Sequence, residues 1–134
     1  MTSDLLQQRI KDELIDAGIS KHSLHKNEVR HLPNVIHVDE HIGAAINGRA
    51  EVGAVMLVAT DRRLIYLDCK SFYTTVDELT YDVVSGVVFH VQGLFANVTV
   101  HTRVGEYHLR FVNPKQAAKF TEYIESKRVE TSGD

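Results

Sequence analysis

The chain has one cysteine, Cys69, so it cannot close a disulfide on itself, and that scarcity fits a reducing compartment. It has no excess of positive charge either: 15 Lys and Arg stand against 18 Asp and Glu, a formal net charge of −3. The balance is also local, with five against five in the first 38 residues and ten against thirteen in the rest. Nucleic-acid binders draw most of their affinity from a basic face that neutralises phosphates, so a nucleic-acid partner is not expected. No apolar run approaches the roughly 20 residues that span a bilayer. Met1 to Leu14 intersperses charges among apolar residues, unlike the unbroken apolar segment of a secretory leader. These absences set the expectation of a cytoplasmic protein with no membrane partner.

Catalytic patterns are missing too. There is no phosphate loop, dinucleotide fingerprint or paired-glycine lid. Asp77 and Glu78 are neighbours in a predicted strand and point to opposite faces, which spoils them as an acid–base pair. Lys70 can lower the pKa of Cys69, but the thiol lacks a helix N-terminus or a motif histidine beside it. A lone cysteine ending an apolar strand reads as a small packing residue. The eight histidines (22, 25, 31, 37, 41, 90, 101 and 108) raise a metal alternative. His22/His25 and His37/His41 are spaced as pairs, yet neither belongs to a His-Glu-x-x-His pattern. His90, His101 and His108 fall on outward faces of adjacent predicted strands, where solvated polar residues are usual. The expectation is no catalytic residue, no metal and no cofactor.

What is present is the composition of an ordinary globular domain, 43% hydrophobic and 25% charged over 134 residues, enough for a single core. Leu6, Ile10, Leu14 and Ala17 recur at helical spacing and predict a helix over 4–17, stopped by Gly18 and capped by Thr2, Ser3 or Asp4. A second helix is predicted over 23–32, ended by Pro33. Beyond Asp39 the helical period disappears, β-branched residues dominate, and turn signals recur about every ten residues. Strands are predicted over 40–47, 54–59, 64–68 and 75–80, with the first reversal at Asn47, Gly48 and Gly53. Three more follow. The fifth carries Val83, Val87, Phe89 and Val91 on one face, and the sixth alternates Leu94, Ala96, Val98 and Val100 with Phe95, Asn97, Thr99 and His101. The seventh alternates Tyr107, Leu109 and Phe111 with His108 and Arg110. Asn113 and Pro114 then start a helix with Ala117, Phe120, Thr121 and Ile124 on one stripe.

The domain layout is therefore a helical extension over 1–38, a seven-stranded barrel closed by a helix over 39–128, and a flexible tail over 129–134. The core is expected from Val55, Leu57, Ile65, Leu67, Val87, Phe89, Val98, Val100, Leu109, Phe111, Phe120 and Ile124. The apolar stripe of the first helix has to bury somewhere, on the barrel wall or against a second copy of the chain. The extension is read as an accessory that the barrel can lose.

Several local runs sharpen the fold. They are Glu40 at the start of strand one, Val58-Ala59-Thr60-Asp61-Arg62-Arg63-Leu64-Ile65-Tyr66-Leu67, and Leu79-Thr80-Tyr81-Asp82-Val83-Val84-Ser85-Gly86-Val87. With Leu32-Pro33 ahead of the glutamate, their order over about 23–127 resembles the short bacterial pleckstrin-homology-like domain family. That resemblance implies a mainly β fold: a bent seven-stranded barrel plugged at one end by a C-terminal helix. Independently of it, Thr60 and Asp61 suit a tight polar reversal, with Arg63 laying its stem on the barrel wall and its charge in water.

The resemblance also implies where a lipid head group would sit, among the loops after strands one, three and six. Here these supply Arg49, Lys70 and Arg103, offset by Glu51, Asp68 and Glu106. Phosphoinositide binding is therefore disfavoured. Phe72 and Tyr73 on a predicted loop suit a protein partner. The functional reading is a non-enzymatic binding or scaffolding module, acting through an unknown protein partner or as a homo-oligomer. The alternative is an anionic ligand or lipid head group held at the barrel mouth by Arg49, Lys70, Arg103, Phe72 and Tyr73.

Overall fold

The computed structural model describes residues 3–132. Three helical pieces precede the strands: α1 over Ser3–Asp16, then α2 over Asn27–His31, flanked by 3-10 turns at Lys21–His25 and Leu32–Asn34. The strands are β1 (Ile42–Ala50), β2 (Gly53–Thr60), β3 (Leu64–Cys69), β4 (Thr74–Leu79), β5 (Val84–Gln92), β6 (Phe95–Thr102) and β7 (Gly105–Val112). They form one sheet in the order β4-β3-β2-β1-β7-β6-β5, antiparallel throughout. β4 and β5 are its two edges, so the sheet bends around the core without closing by hydrogen bonds. The helix α3 (Pro114–Ser132) packs on β1, β5 and β6. Asn113 caps it, its Oδ1 accepting the backbone N–H of Lys115 at 2.9 Å and of Gln116 at 3.3 Å. The expected tail is thus helical as far as Ser132; Gly133, Asp134 and the cap candidate Thr2 lie outside the described residues.

Two apolar cores share the sheet. The inner one holds Ile46, Val55, Leu57, Val98, Val100, Leu109, Phe120 and Ile124, with Phe89 packed against it. The outer one lies on the opposite face of β1–β3, where Ile42, Ala45, Met56, Val58, Ile65 and Leu67 meet Leu6, Ile10, Leu14, Val29, Leu32 and Ile36. Successive strand residues point to opposite faces, so Ile65 and Leu67 belong to the outer core. This is why β2 is almost wholly apolar: both of its faces are covered. The stripe of α1 buries on the chain's own sheet.

The differences from the predicted elements have local causes. Lys26 takes an extended conformation (φ −67, ψ 151), and this divides the predicted second helix into a 3-10 turn and α2. β1 runs to Ala50, so Asn47 and Gly48 are strand residues, and the reversal falls at Glu51-Val52 before Gly53 at φ 109. Bulges displace the later alternation. In β5 the register shifts between Val84 and Gly86, so Val84 is buried, Val83 falls in a 3-10 turn, and Val91 is exposed. Leu94 stands at a hairpin tip in solvent. In β7 a bulge puts Val112 inside and Phe111 outside, so Phe111 is not a core residue.

The polar centre of the fold is Glu40, with no exposed surface. Its carboxylate accepts the Arg63 Nε–H at 2.9 Å and Nη2–H at 2.8 Å, the Thr60 hydroxyl at 2.6 Å and the His37 backbone N–H at 3.1 Å. Arg63 also donates to the Val35 carbonyl at 2.8 Å and pairs with Glu78. The guanidinium is therefore enclosed rather than left in water. Thr60 closes the β2–β3 turn, accepting the backbone N–H groups of Arg62 and Arg63, and Tyr81 donates its hydroxyl to the Thr60 carbonyl. Asp61 instead reaches back and accepts the His41 N–H at 3.1 Å. Burial pushes the Glu40 carboxyl up, but Arg63, Thr60 and the His37 N–H outweigh it and hold it at about 2, against an ordinary 4.5.

A carboxyl with a depressed folded pKa contributes stability above its unfolded value, and that contribution is lost as pH falls toward the folded one. Glu40→Gln should destabilise by about 3 kcal/mol at neutral pH, since it leaves Arg63 buried beside a neutral partner. Urea titrations should show the gap to the parent closing between pH 4.5 and 2, the window set by Glu40; a gap independent of pH would contradict the assignment. A chain starting at Asn34 should lose cooperative unfolding and bind a hydrophobic dye, because the outer faces of β1–β3 lose their cover. Retention of the parent's sharp transition would mean the outer core contributes little.

Candidate functional site

The two halves of the sheet meet at one residue pair, Arg49 of β1 opposite Arg110 of β7. The backbones come very close beside it. A Cβ placed on Gly48 would stand 2.6 Å from the Arg110 carbonyl oxygen and 2.8 Å from Val112 Cγ2, so only glycine fits there. Like charges directly opposite one another in a sheet are mutually destabilising. Among the described residues neither Arg49 nor Arg110 makes a side-chain hydrogen bond or ion pair, and both are exposed.

The β7 bulge lies next to this pair. Between Ala96↔Val112 and Val98↔Leu109, β7 has one residue more than β6. Phe111 absorbs the excess at φ 60, alone among the described non-glycine residues in having a positive φ. For a bulky side chain this conformation costs roughly 1–2 kcal/mol. The ring is not buried in return: it is 56% exposed and meets Phe95, itself 47% exposed, edge to face at 5.8 Å. Backbone strain that gains no burial is a recognised mark of a functional position.

A groove of about 410 Å³ runs beside these rings, with Lys26, Asn47, Arg49, Phe95, Phe111 and Asn113 in its walls and no acidic residue. Past Arg49 it meets a second cleft of about 550 Å³ at the open end of the sheet, where Arg110, Tyr66, Tyr107, Asp77 and Glu106 stand. Tyr107 donates its hydroxyl to Asp77 at 3.0 Å, and its ring lies 5.0 Å from that of Tyr66. Burial and the Asp77 carboxylate push the Tyr107 hydroxyl up to about 12, so it stays protonated at neutral pH. On the face of β5–β7 that carries them, Phe95 and Arg110 stay exposed, in contrast to the helix-covered outer face of β1–β3.

The residues singled out in the sequence have separate surroundings. Lys70 donates to the Ala54 carbonyl at 2.6 Å and pairs with Asp68, which also accepts the Tyr73 hydroxyl at 3.1 Å. Arg103 donates to the Asp82 carbonyl at 2.6 Å. Arg49 faces the seam, and none of the five cavities described has two of these three cations in its walls. Phe72 is 90% exposed, its ring 6.4 Å from that of Tyr73. Cys69 is buried, and burial followed by the Glu28 carboxylate pushes its thiol up, overriding Lys70. His101 pairs with Glu106 at 2.5 Å and His108 bonds Thr99 at 2.8 Å. Among the described residues no group of three His, Cys, Asp or Glu side chains is placed to hold a metal ion. Sequence reasoning missed Phe111 as a surface residue and did not weigh Lys26 or Arg110. Alternation gives no sign of a bulge, and Gly48 was its one local trace.

Comparison with known proteins adds the family. The family profile described as the bacterial PH domain matches residues 36–126. A solved structure of a DUF1696-family protein with a pleckstrin-homology domain from Shewanella loihica PV-4 superposes with a TM-score of 0.51 at 15% identity, covering 82% of this chain and 98% of that one. No curated protein matches the chain.

Phe111→Asn should leave stability unchanged or raise it, because asparagine tolerates the left-handed region and little buried surface is lost. Phe120→Ala, by contrast, empties the inner core and should cost about 3–5 kcal/mol. A loss above about 2 kcal/mol in Phe111→Asn by chemical denaturation would make the ring a structural plug.

Proposed function

The chain belongs to the bacterial PH domain family, and from that premise we propose that it is a non-enzymatic binding module that docks an acidic, apolar-bearing segment of a partner protein along the β1–β7 seam. The observation that carries this reading is Phe111, held at φ 60 with its ring half in solvent. Aromatic and arginine side chains are the usual anchors of protein interfaces. Phe95 and Phe111 offer a surface for an apolar side chain. Lys26 and Arg49 line the groove beside it, where no acidic residue stands. Arg110 lines the adjoining cleft with Glu51, Asp77 and Glu106 but forms no ion pair with them among the described residues. The acid-free groove favours Asp or Glu in the docked segment. In this assignment Arg49 acts at the seam, while Lys70 and Arg103 serve the local structure of their loops. A hydrolytic or nucleophilic reaction finds no support in the site, where Tyr107 is kept protonated by burial and Asp77. No described helix is long and apolar enough to cross a membrane.

Peptide display against the immobilised protein tests the reading. Selection should enrich sequences that place Asp or Glu beside an aromatic or aliphatic residue. An enriched peptide should bind at least about tenfold more weakly to Phe111→Asn and to Arg110→Ala, and about equally to Phe72→Ser. A pool indistinguishable from one selected on Phe111→Asn would refute the docking surface.

A further inference from the structure

A cavity of about 330 Å³ lies between α1 and the broken helical segment that follows it, with walls that share no residue with the seam groove. The extended residue Lys26 sets the 3-10 turn bearing Leu24 and His25 apart from α2, which bears Val29 and Arg30. The floor of the cavity is apolar, made by Ile10, Val29 and half-buried Leu24. Its rim is basic, with Lys11 from α1 and His25 and Arg30 from the segment opposite.

Those three side chains make no hydrogen bond or ion pair among the described residues. The nearby carboxylates are engaged elsewhere. Asp12 accepts from Gln8 at 2.9 Å, Glu13 takes Arg9 and His41, and Glu28 accepts the Cys69 N–H at 3.0 Å. No acidic residue stands in the cavity wall. Lys11 and Arg30 are like charges beside an apolar floor with no carboxylate between them, an arrangement that favours entry of an anion, and an arginine fork suits a planar carboxylate. The volume is at the small end for ligand pockets, so the apolar body is limited to about one ring or a short chain.

We propose that this cavity binds a small amphipathic carboxylate, its acid group between Lys11 and Arg30 and its apolar body on Ile10, Leu24 and Val29. The cavity is separate from the seam, and the inference is independent of the docking surface there. A ligand in it would brace α1 against the segment that covers the sheet, coupling occupancy to the stability of the outer core.

Titration of the isotope-labelled protein with phenylacetate, followed by amide NMR shifts, tests the site. Signals of Lys11, Leu24 and Arg30 should move together and saturate by about 10 mM. Neutral phenylacetamide should bind about tenfold more weakly or not at all, as should phenylacetate in the Lys11→Gln, Arg30→Gln double variant. In that variant half-buried Lys11 and exposed Arg30 keep their stems but lose their charge, so the fold is expected to stay intact. Equal response to the neutral amide, equal response in the double variant, or no saturation would overturn the proposal. Inorganic phosphate shifting the same signals as strongly as phenylacetate would reduce the site to a bare anion contact and overturn the amphipathic class.

Discussion

A carboxylate sealed from solvent, Glu40, holds together parts of the chain that are far apart in sequence. Through Arg63 and Thr60 it fixes the β2–β3 turn, and the same Arg63 reaches the carbonyl of Val35 and the carboxylate of Glu78 on β4. The main chain at Glu40 accepts Arg9 from α1 at 2.9 Å, so the helical segment is tied to the same point. Burying an ion pair is no bargain compared with packed hydrocarbon, but once the pair exists, losing either member strands the other. Its value is geometric. It fixes where β1 begins and how the segment before it crosses the sheet.

That crossing decides which faces of the sheet are wet. Pinned at Glu40, residues 3–36 cover the outer face of β1–β3 and turn it into a second core. On the outer face of β5–β7, by contrast, Phe95, Phe111 and Arg110 stand in solvent. A small domain with two cores can tolerate one strained residue. The positive φ of Phe111 is a cost of a kcal/mol or two set against burial on both sides of the sheet.

Much of the fold was legible in the chain itself. The period change near Asp39, the Asn113-Pro114 helix start and the runs around Thr60 and Tyr81 lead directly to a seven-stranded sheet closed by a helix. The runs that resembled a family turn out to be spatial neighbours, since Glu40, Thr60, Arg63 and Tyr81 meet in one network. The site was less legible. Alternation counts residues, and a bulge adds one without announcing it, so Phe111 read as core. The loop cations drew attention because they were charged and in loops. Their local partners, Asp68 for Lys70 and the Asp82 carbonyl for Arg103, depend on backbone geometry that sequence does not display.

The held-out aromatic surface at the seam depends on the backbone angle at one residue, Phe111. Scalar couplings across the Phe111 backbone, with ring-to-ring nuclear Overhauser contacts, measure it in solution without any ligand. A φ near 60, with the ring close to Phe95 and far from Phe120, is the predicted result. A negative φ with the Phe111 ring against Leu109 and Phe120 would mean that β7 has no bulge there and that the surface does not exist.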